Sequence, residues 1–497
     1  LIHMLSNKHR ERLTLNMSDH PPSKEGGVTL KFQIFEILKA AYKTNGSSLE
    51  IHEIVRALPN YPTAHILYQL SLMETESLLL RESAFYPLRT EFSNLNAEYP
   101  DTFKPYQGLV YEPPKFTPLP DGLFVYQTDL IHYPDDIAIG RSDKRELAKL
   151  TCTAEAYERD SIRYKEGDSF FRSKATGSDN FLLPSDLIIE NSLLIENGML
   201  IENDLPLRSD AKINTCERSH EFEWLSATNL LNGESHWLPA GLCLLGFPEK
   251  YKGDILGTDS TGCATGSTTE QAIKHAVLEV IERDAAAIWW RAKLPCPEVS
   301  SQNQSTDFIL TLKKELSLKG YLTCALDITN DLGIPVVATV AWNERTGKEI
   351  FIALGCDLTL AGATRKSFLE LMQRTAIVLA TCPVIPEPQH PFQTWLDNEH
   401  IDDYPQLQPY AVTPASLANI KNVNQLIQHL FKVHTHPTYV VNLTRDSLSP
   451  PVVRVFIPKL CNSIHYKGDR LFNMPVTLKR GGKRLTAEDL ESKALIL

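Results

Sequence analysis

The sequence predicts an α+β protein with one large unit of mixed sheets and helices, preceded by a small helical unit. Three observations point to it. After residue 122, short runs rich in β-branched and aromatic residues alternate with longer windows of helical apolar spacing. A Pro-rich stretch ending in YEPPKFTPLP divides this region from the one before it. A helical motif then occurs three times within the larger part.

Residues 1–27 read as a polar tail. Apolar residues recur at helical spacing from 29 to 82, as Phe32, Phe35 and Leu38, then Ile51, Ile54, Val55 and Leu58, then Ile66, Leu67 and Leu70. The loops TNGSS and PNYP cut this run into three short helices, and Ser77 to Glu82 follows them. That order suggests a winged-helix-like unit over residues 28–97; a helical dimerisation or packing extension explains the spacing equally well. Its acidic residues and few arginines favour a peptide strand at the wing edge over DNA. Residues 98–121 form the Pro-rich linker, and 122–497 the main domain. Its β-type runs are Gly122 to Thr128, Phe222 to Ala227, Trp237 to Leu245, Tyr321 to Ile328, Pro335 to Ala341, Phe351 to Leu354, Thr438 to Val441 and Val452 to Phe456.

Composition narrows the function classes. With 497 residues, 42% of them hydrophobic and 22% charged, the chain can bury a large core. Its net charge of -11 argues against a bulk electrostatic hold on nucleic acid or an anionic membrane. The 9 cysteines form no C-x-x-C pair, so free thiols are expected rather than half of a zinc site. No apolar run reaches the ~18 residues that a spanning helix needs, and LIHMLSNKHRERL is too charged for a secretory signal, so a cytoplasmic location is expected.

The repeated motif carries the chemistry. Its three copies are AKLTCTAEAYER (148–159), AIKHAVLEVIER (272–283) and ATRKSFLELMQR (363–374). In each, Ala is followed seven residues later by Glu, three later by Glu or Gln, and then by Arg. The pairs Glu155 and Glu158, Glu279 and Glu282, and Glu370 and Gln373 each lie on one helix face. One such window alone resembles a solvated face, but Ala276, Val277, Leu278, Val280 and Ile281 crowd the second pair with apolar neighbours. Like charges in such surroundings repel unless a cation neutralises them. Carboxylate oxygens suit Mg²⁺, which takes one or two of them together with phosphate oxygens and water. Three such helices could surround a triphosphate and its metal ions.

GTDSTGCATGSTTEQ (257–271) precedes the second copy, with Ser260, Gly262 and Gly266 among several hydroxyl residues. Such a segment can bring backbone N–H groups and a positive helix end to a phosphate. It is also what a polar helix cap looks like. Walker and dinucleotide-binding patterns are absent.

TGCATGSTTEQAIKHAVLEVIERDAAAIWWRAKLPCP resembles the core signature of the YcaO family, particularly its thiazole- and oxazole-forming peptide cyclodehydratases. The likeness continues through LDITNDLGIPVVATVAW, IALGCDLTLAGATRKSFLELMQ and VVRVFIPKLCNSIHYKGDRLFNMPV, over roughly 122–497. It implies a YcaO-type fold around a central ATP site, with ATP and Mg²⁺ as cofactors. It makes Glu155, Glu158, Glu279, Glu282 and Glu370 metal or ATP ligands and Arg283 a phosphate contact. Thr151 stands where relatives usually have Ser, Arg141 where Lys is usual, and Lys366 where Arg is common; Gln373 fits the third helix, and Ser260 joins the cofactor-binding set. The implied reaction is O-phosphorylation of a backbone amide in a ribosomally made precursor peptide, so that Cys, Ser or Thr closes to an azoline, as in bacteriocin maturation. Thioamide or amidine formation is the alternative within the family, and a non-catalytic leader-binding scaffold the alternative outside it. No catalytic nucleophile is implied in the enzyme itself. The chain ends ESKALIL where many azoline-forming relatives carry a P-x-P-x-P tail. A separate E1-like leader-binding partner is expected, and a homodimer is entertained.

Trp289 and Trp290 read as core rather than as stacking platforms, and His434 with His436 as a loop pair rather than as metal ligands. Arg470 could reach phosphate or pair locally with Asp469 or another acid.

Overall fold

The computed structural model describes residues 122–130, 133–168, 170–175, 180–187, 221–248, 259–379, 391–445, 450–460, 469–480 and 483–490, with short strands and isolated positions outside them. The chain forms two compact units: Leu1–Glu98 with Phe116–Leu119 and Ala380–Glu387, and Tyr99–Lys115 with Pro120–Leu379 and Pro388–Leu497. In the first, β1 (Arg12–Leu15) pairs antiparallel with β2 (Leu49–Glu50) and β3 (Leu79–Glu82). β1 falls in the segment read as a polar tail, and β3 falls within the Ser77 to Glu82 stretch that follows the expected helices. The three helices expected at 29–70, and residues 98–114 of the linker, lie outside the described residues.

The second unit opens with a hairpin, β4 (Phe124–Leu130) and β5 (Tyr133–Ser142), on which helix α1 (Arg145–Ser161) packs. β6 (Phe171–Lys174), β7 (Glu221–Asn229), β8 (Ser235–Pro239) and β9 (Cys263–Thr265) follow. The run expected as one strand from Trp237 to Leu245 stops at Pro239, because Ala240–Cys243 turns helical. Helix α2 (Thr269–Arg291) leads by way of α3 (Asp307–Leu318) to β10 (Tyr321–Asp327), β11 (Val336–Asn343) and β12 (Phe351–Cys356), and then to α4 (Leu360–Arg374). After α5 (Val423–His434) come β13 (Tyr439–Asn442), β14 (Val452–Phe456) and α6 (Asp469–Thr477).

Two sheets enclose α2. One runs β8-β7-β13-β14-β9 with β6 paired to β7; the other is the antiparallel meander β10-β11-β12. The helix packs on β9 and β14 to one side and on β11 and β12 to the other. Burial on opposite flanks explains why apolar residues surround its Glu pair, with Ala276, Val277, Leu278, Val280 and Ile281 all buried. Trp289 and Trp290 are fully buried and donate their indole N–H groups to the carbonyls of Gln406 and Lys493, so they are core.

The thrice-repeated motif corresponds to a thrice-repeated structure. β5 leads into α1, β9 into α2 and β12 into α4, each through a short turn. Glu155, Glu279 and Glu370 each lie ten residues after the first residue of their helix, at Arg145, Thr269 and Leu360. The motif alanines Ala148, Ala272 and Ala363 are each fully buried. Two units share the reason: a Cβ on Gly140 would lie 1.9 Å from the Ala148 carbonyl, and one on Gly355 would lie 2.3 Å from that of Ala363. Strand and helix backbones meet there at a distance only glycine permits. Such close docking fixes the height of each helix over its strand, and so of its Glu pair.

Candidate active site

The motif places a triplet on each helix at positions i, i+4 and i+7, which share a face: Thr151, Glu155 and Glu158 on α1, His275, Glu279 and Glu282 on α2, and Lys366, Glu370 and Gln373 on α4. These faces meet. Burial first, then the charges of Glu279 and Glu155, pushes Glu158 well above the usual carboxylate range, although Arg159 and a backbone hydrogen bond from Thr265 oppose the shift. Burial likewise lifts Glu279 to about 7, with Glu282 and Asp259 adding to it and Arg283 and the Gly262 amide opposing. Glu282 is also raised, by burial and by Glu370, against Arg283, Lys366 and Arg141. Carboxylates from α1, α2 and α4 therefore feel one another directly.

The five candidate ligands divide into two groups. Glu155 is engaged: Arg159 binds it at 2.8 Å and the Ile139 amide donates to it at 3.3 Å. Arg159 also reaches Asp136 at 2.6 Å, and Asp136 binds Arg163 as well. Glu370 is engaged too. Arg374 lies 2.9 Å and Arg141 3.5 Å from it, and Arg141 also donates to Gln373. Burial alone would raise Glu370, but Arg374, Arg141 and Arg283 outweigh it and hold the carboxyl below its ordinary value. Glu158, Glu279 and Glu282 are under-neutralised by comparison, since the nearest cation to Glu279 is Arg283 at 3.7 Å.

This division tests whether Mg²⁺ and a triphosphate fit. Three half-buried carboxylates, raised by desolvation first and then by neighbouring carboxylate charge, are a site that an added cation would relax. Arg283, Arg141, Arg374 and Lys366 supply positive charge around them for phosphate oxygens. Among the described residues no group of three His, Cys, Asp or Glu donors closes into a ready metal cage. Mg²⁺ does not require one, because it keeps water and takes phosphate oxygens beside one or two carboxylates. The residues present fit.

The segment before α2 meets the site by a different part than its sequence suggests. Thr268 caps the helix by accepting from the Gln271 amide, and the Gln271 side chain accepts from Ser267. Glu279 lies ten residues after Thr269, the first residue of the helix, about 15 Å along the axis at 1.5 Å per residue, so the helix end cannot share one phosphate with it. The loop Asp259–Gly262 does approach, and the Gly262 amide donates to Glu279 at 3.2 Å. Gly262 has φ of 79° and no room for a side chain between Val455 and Val280, which is why this position is glycine. Ser260 lies on the same loop, exposed. Thr151 is exposed on α1, its hydroxyl donating to the Ala148 carbonyl at 3.0 Å. Lys366 binds Asp357 and the Cys356 carbonyl, each at 3.0 Å.

Three residues escaped the sequence reading. Asp259 acts on Glu279 and Arg283, and Arg374 neutralises Glu370. His275 hydrogen-bonds the Thr265 carbonyl at 3.1 Å. Only the register of the repeat could have found His275, which occupies the position of Thr151 and Lys366 in the other copies. Arg470 is committed elsewhere: it grips the fully buried Asp284 at 2.6 Å and Asp331 at 2.7 Å, and Asn330 completes the Asp284 site. His434 directs Nε2 at the Pro458 carbonyl, 2.8 Å away, with its ring 4.9 Å from that of His436.

The described cysteines, Cys152, Cys243, Cys263, Cys296, Cys324 and Cys356, are free and buried, and burial pushes Cys152 up to about 12. Neutral thiols of that kind are poor nucleophiles. Among the described residues no helix is long and apolar enough to cross a membrane.

Known proteins resemble the chain in sequence and in fold. Residues 139–461 match the family model described as YcaO cyclodehydratase, ATP- and Mg²⁺-binding. An uncharacterised protein of Methanothermobacter thermautotrophicus is 29% identical over 206 residues, 41% of this chain and 48% of that protein. An uncharacterised protein in the tfuA 3' region of Rhizobium leguminosarum bv. trifolii is 29% identical over 131 residues, 24% of this chain and 30% of that protein. The match thus spans half or less of each curated relative. Among solved structures, a heterocyclase in complex with substrate and cofactor superposes with a TM-score of 0.63 at 20% identity, over 75% of this chain and 52% of that one. The heterocyclase TruD gives 0.56 at 21% identity, over 70% of this chain and 50% of that one. At such identities the superpositions speak for the α+β fold, and the family model covers well over half of the sequence: the chain belongs to the YcaO family of ATP- and Mg²⁺-binding cyclodehydratases.

Proposed function

We propose that the chain uses Mg-ATP to activate a backbone amide of a ribosomally made peptide by O-phosphorylation, so that a Cys, Ser or Thr side chain of the peptide closes to an azoline. One observation carries the reading. Two strand–helix units bring Glu158, Glu279 and Glu282 together without enough positive charge, and the third sets Glu370 beside them, with arginines holding Glu155 and Glu370. A binding scaffold has no use for such a cluster, which costs stability while it is empty of cations.

When bound, Mg-ATP supplies the phosphoryl group that turns the amide oxygen into a good leaving group. Glu158, Glu279 and Glu282 would hold the metal. Arg283, Arg141 and Lys366 would meet phosphate oxygens, with Ser260 and Thr151 at the rim. Glu155 fixes Arg159, and Glu370 fixes Arg374 and Arg141. This arrangement works by positioning and charge neutralisation, and it needs no nucleophile from the enzyme. The six described cysteines, all buried, agree with that. The partners are a precursor peptide and a separate protein that grips its leader; the superposed heterocyclase, which is in complex with substrate and cofactor, is in keeping with a substrate bound beside the nucleotide.

The test is ATP turnover with glycine-rich synthetic peptides that each carry one Cys, Ser or Thr, followed by mass spectrometry. Azoline closure removes one water, about 18 Da, whereas thioamide formation would add about 16 Da. No Mg-dependent ATP turnover with any peptide contradicts the proposal.

A further inference from the structure

The first position of each triplet holds Thr151, His275 or Lys366, and of these the proposed reaction gives no part to the residue on α2. On α2 that position is His275, one turn before Glu279 and two before Glu282 on the same helix face. Its Nδ1 lies 3.1 Å from the Thr265 carbonyl. A carbonyl can only accept, so Nδ1 carries the proton and Nε2 keeps its lone pair. The ring is half-buried, and Nε2 is the remaining polar atom. The charged groups that act on it are Lys366 of α4, Lys274 of its own helix and Asp357 after β12. Lys366 also acts on Glu282, so the imidazole and the acidic cluster share one neighbour. Burial first, and then Lys366, holds the ring's pKa down at about 4, so the lone pair is available throughout the neutral range.

We infer that His275 is the proton acceptor of the addition step, taking through Nε2 the proton of the peptide's own thiol or hydroxyl. This rests on the function proposed above. As the sulfur or oxygen lone pair bonds to the carbonyl carbon, the S–H or O–H bond breaks, its proton moves to Nε2, and the C=O π pair moves onto the oxygen to be phosphorylated. In the elimination, the C–O bond breaks with its electrons leaving on phosphate. The amide nitrogen loses its proton to solvent and closes the C=N bond, and the imidazolium returns its proton to phosphate. The inventory is then one azoline, ADP and hydrogen phosphate, with one proton released.

His275→Asn separates the base from the anchor, because the Asn amide can still donate to the Thr265 carbonyl but offers nothing at Nε2. Three readouts on the full chain decide. Long-range proton–nitrogen NMR of the wild type should show a neutral ring protonated at Nδ1 down to pH 5. A fluorescent ATP analogue with Mg²⁺ should bind the variant within about twofold of wild type. With the Cys-containing peptides, kcat should fall about 100-fold at unchanged KM. An Nε2–H tautomer, undiminished kcat, or loss of nucleotide binding together with kcat overturns the inference, the last because it assigns His275 to support of the site. A wild type that binds nucleotide but modifies no peptide overturns the proposed function and this inference with it; undiminished kcat in the variant overturns this inference alone.

Discussion

Replacing Glu279 with Gln should stabilise the metal-free protein and abolish its hold on Mg-ATP. The side chain is 26% exposed, and burial with neighbouring charge moves its carboxyl from 4.5 to about 7. The folded protein therefore binds this proton more tightly than the unfolded chain does. The resulting penalty is absent below 4.5, grows as pH rises, and is complete above about 7. A rise from 4.5 to about 7 corresponds to roughly 3 kcal/mol, and Gln keeps an oxygen for the Gly262 amide while shedding the charge. Loss of the 3.7 Å contact with Arg283 is already contained in that balance. Urea unfolding without metal or nucleotide should show E279Q more stable than wild type by about 1–3 kcal/mol at pH 8, with little difference near pH 4. Isothermal titration should then show Mg-ATP binding lost in the same variant. An E279Q that is less stable at pH 8 would mean that the native protein already compensates the charge, and the reasoning would fail.

Further predictions follow from the same contacts. Glu370→Gln should have the opposite sign, destabilising by about 3 kcal/mol in urea unfolding, because Arg374 and Arg141 lose the carboxylate between them. Affinity for Mg-ATP at fixed Mg²⁺ should climb as pH rises from about 5 to about 7 and then level, since the cation must displace the proton held by Glu279; a flat profile would count against metal binding there. Arg470→Ala should cost about 3–5 kcal/mol without altering the carboxylate cluster, because it strips the guanidinium from the fully buried Asp284. Gly140→Ala should lower stability by about 3 kcal/mol or more, measured by denaturant midpoint, because its Cβ would meet the Ala148 carbonyl and the Cys152 amide at 1.9 and 2.2 Å.

Much of the catalytic unit was legible because its signals are local. The strands at Val452–Phe456, Tyr321–Asp327 and Phe351–Cys356 begin where β-branched and aromatic runs begin. β5 was missed although it is ten residues long, because Pro134, Asp135 and Asp136 read as a turn. β9 was missed because its three residues lie inside a segment whose Gly, Ser and Thr content signals a loop, and pairing with β14 overrides that propensity. The Glu pairs announced themselves by repetition. What repetition cannot give is the counter-charge: Arg374 reaches Glu370 from the next turn of its helix and Arg141 from β5, and only packing reveals that Glu370 is held below its ordinary value while Glu279 is raised. The helix N-terminus misled for a related reason, since sequence proximity to the Glu pair becomes about 15 Å once the segment is helical.

The most direct test of the account is a crystal structure grown with a non-hydrolysable ATP analogue and Mn²⁺ in place of Mg²⁺, read by anomalous scattering. The account predicts manganese peaks about 2.1 Å from carboxylate oxygens among Glu158, Glu279 and Glu282, with phosphate oxygens completing the shell. Nucleotide bound with its metal away from all three of these side chains would contradict it.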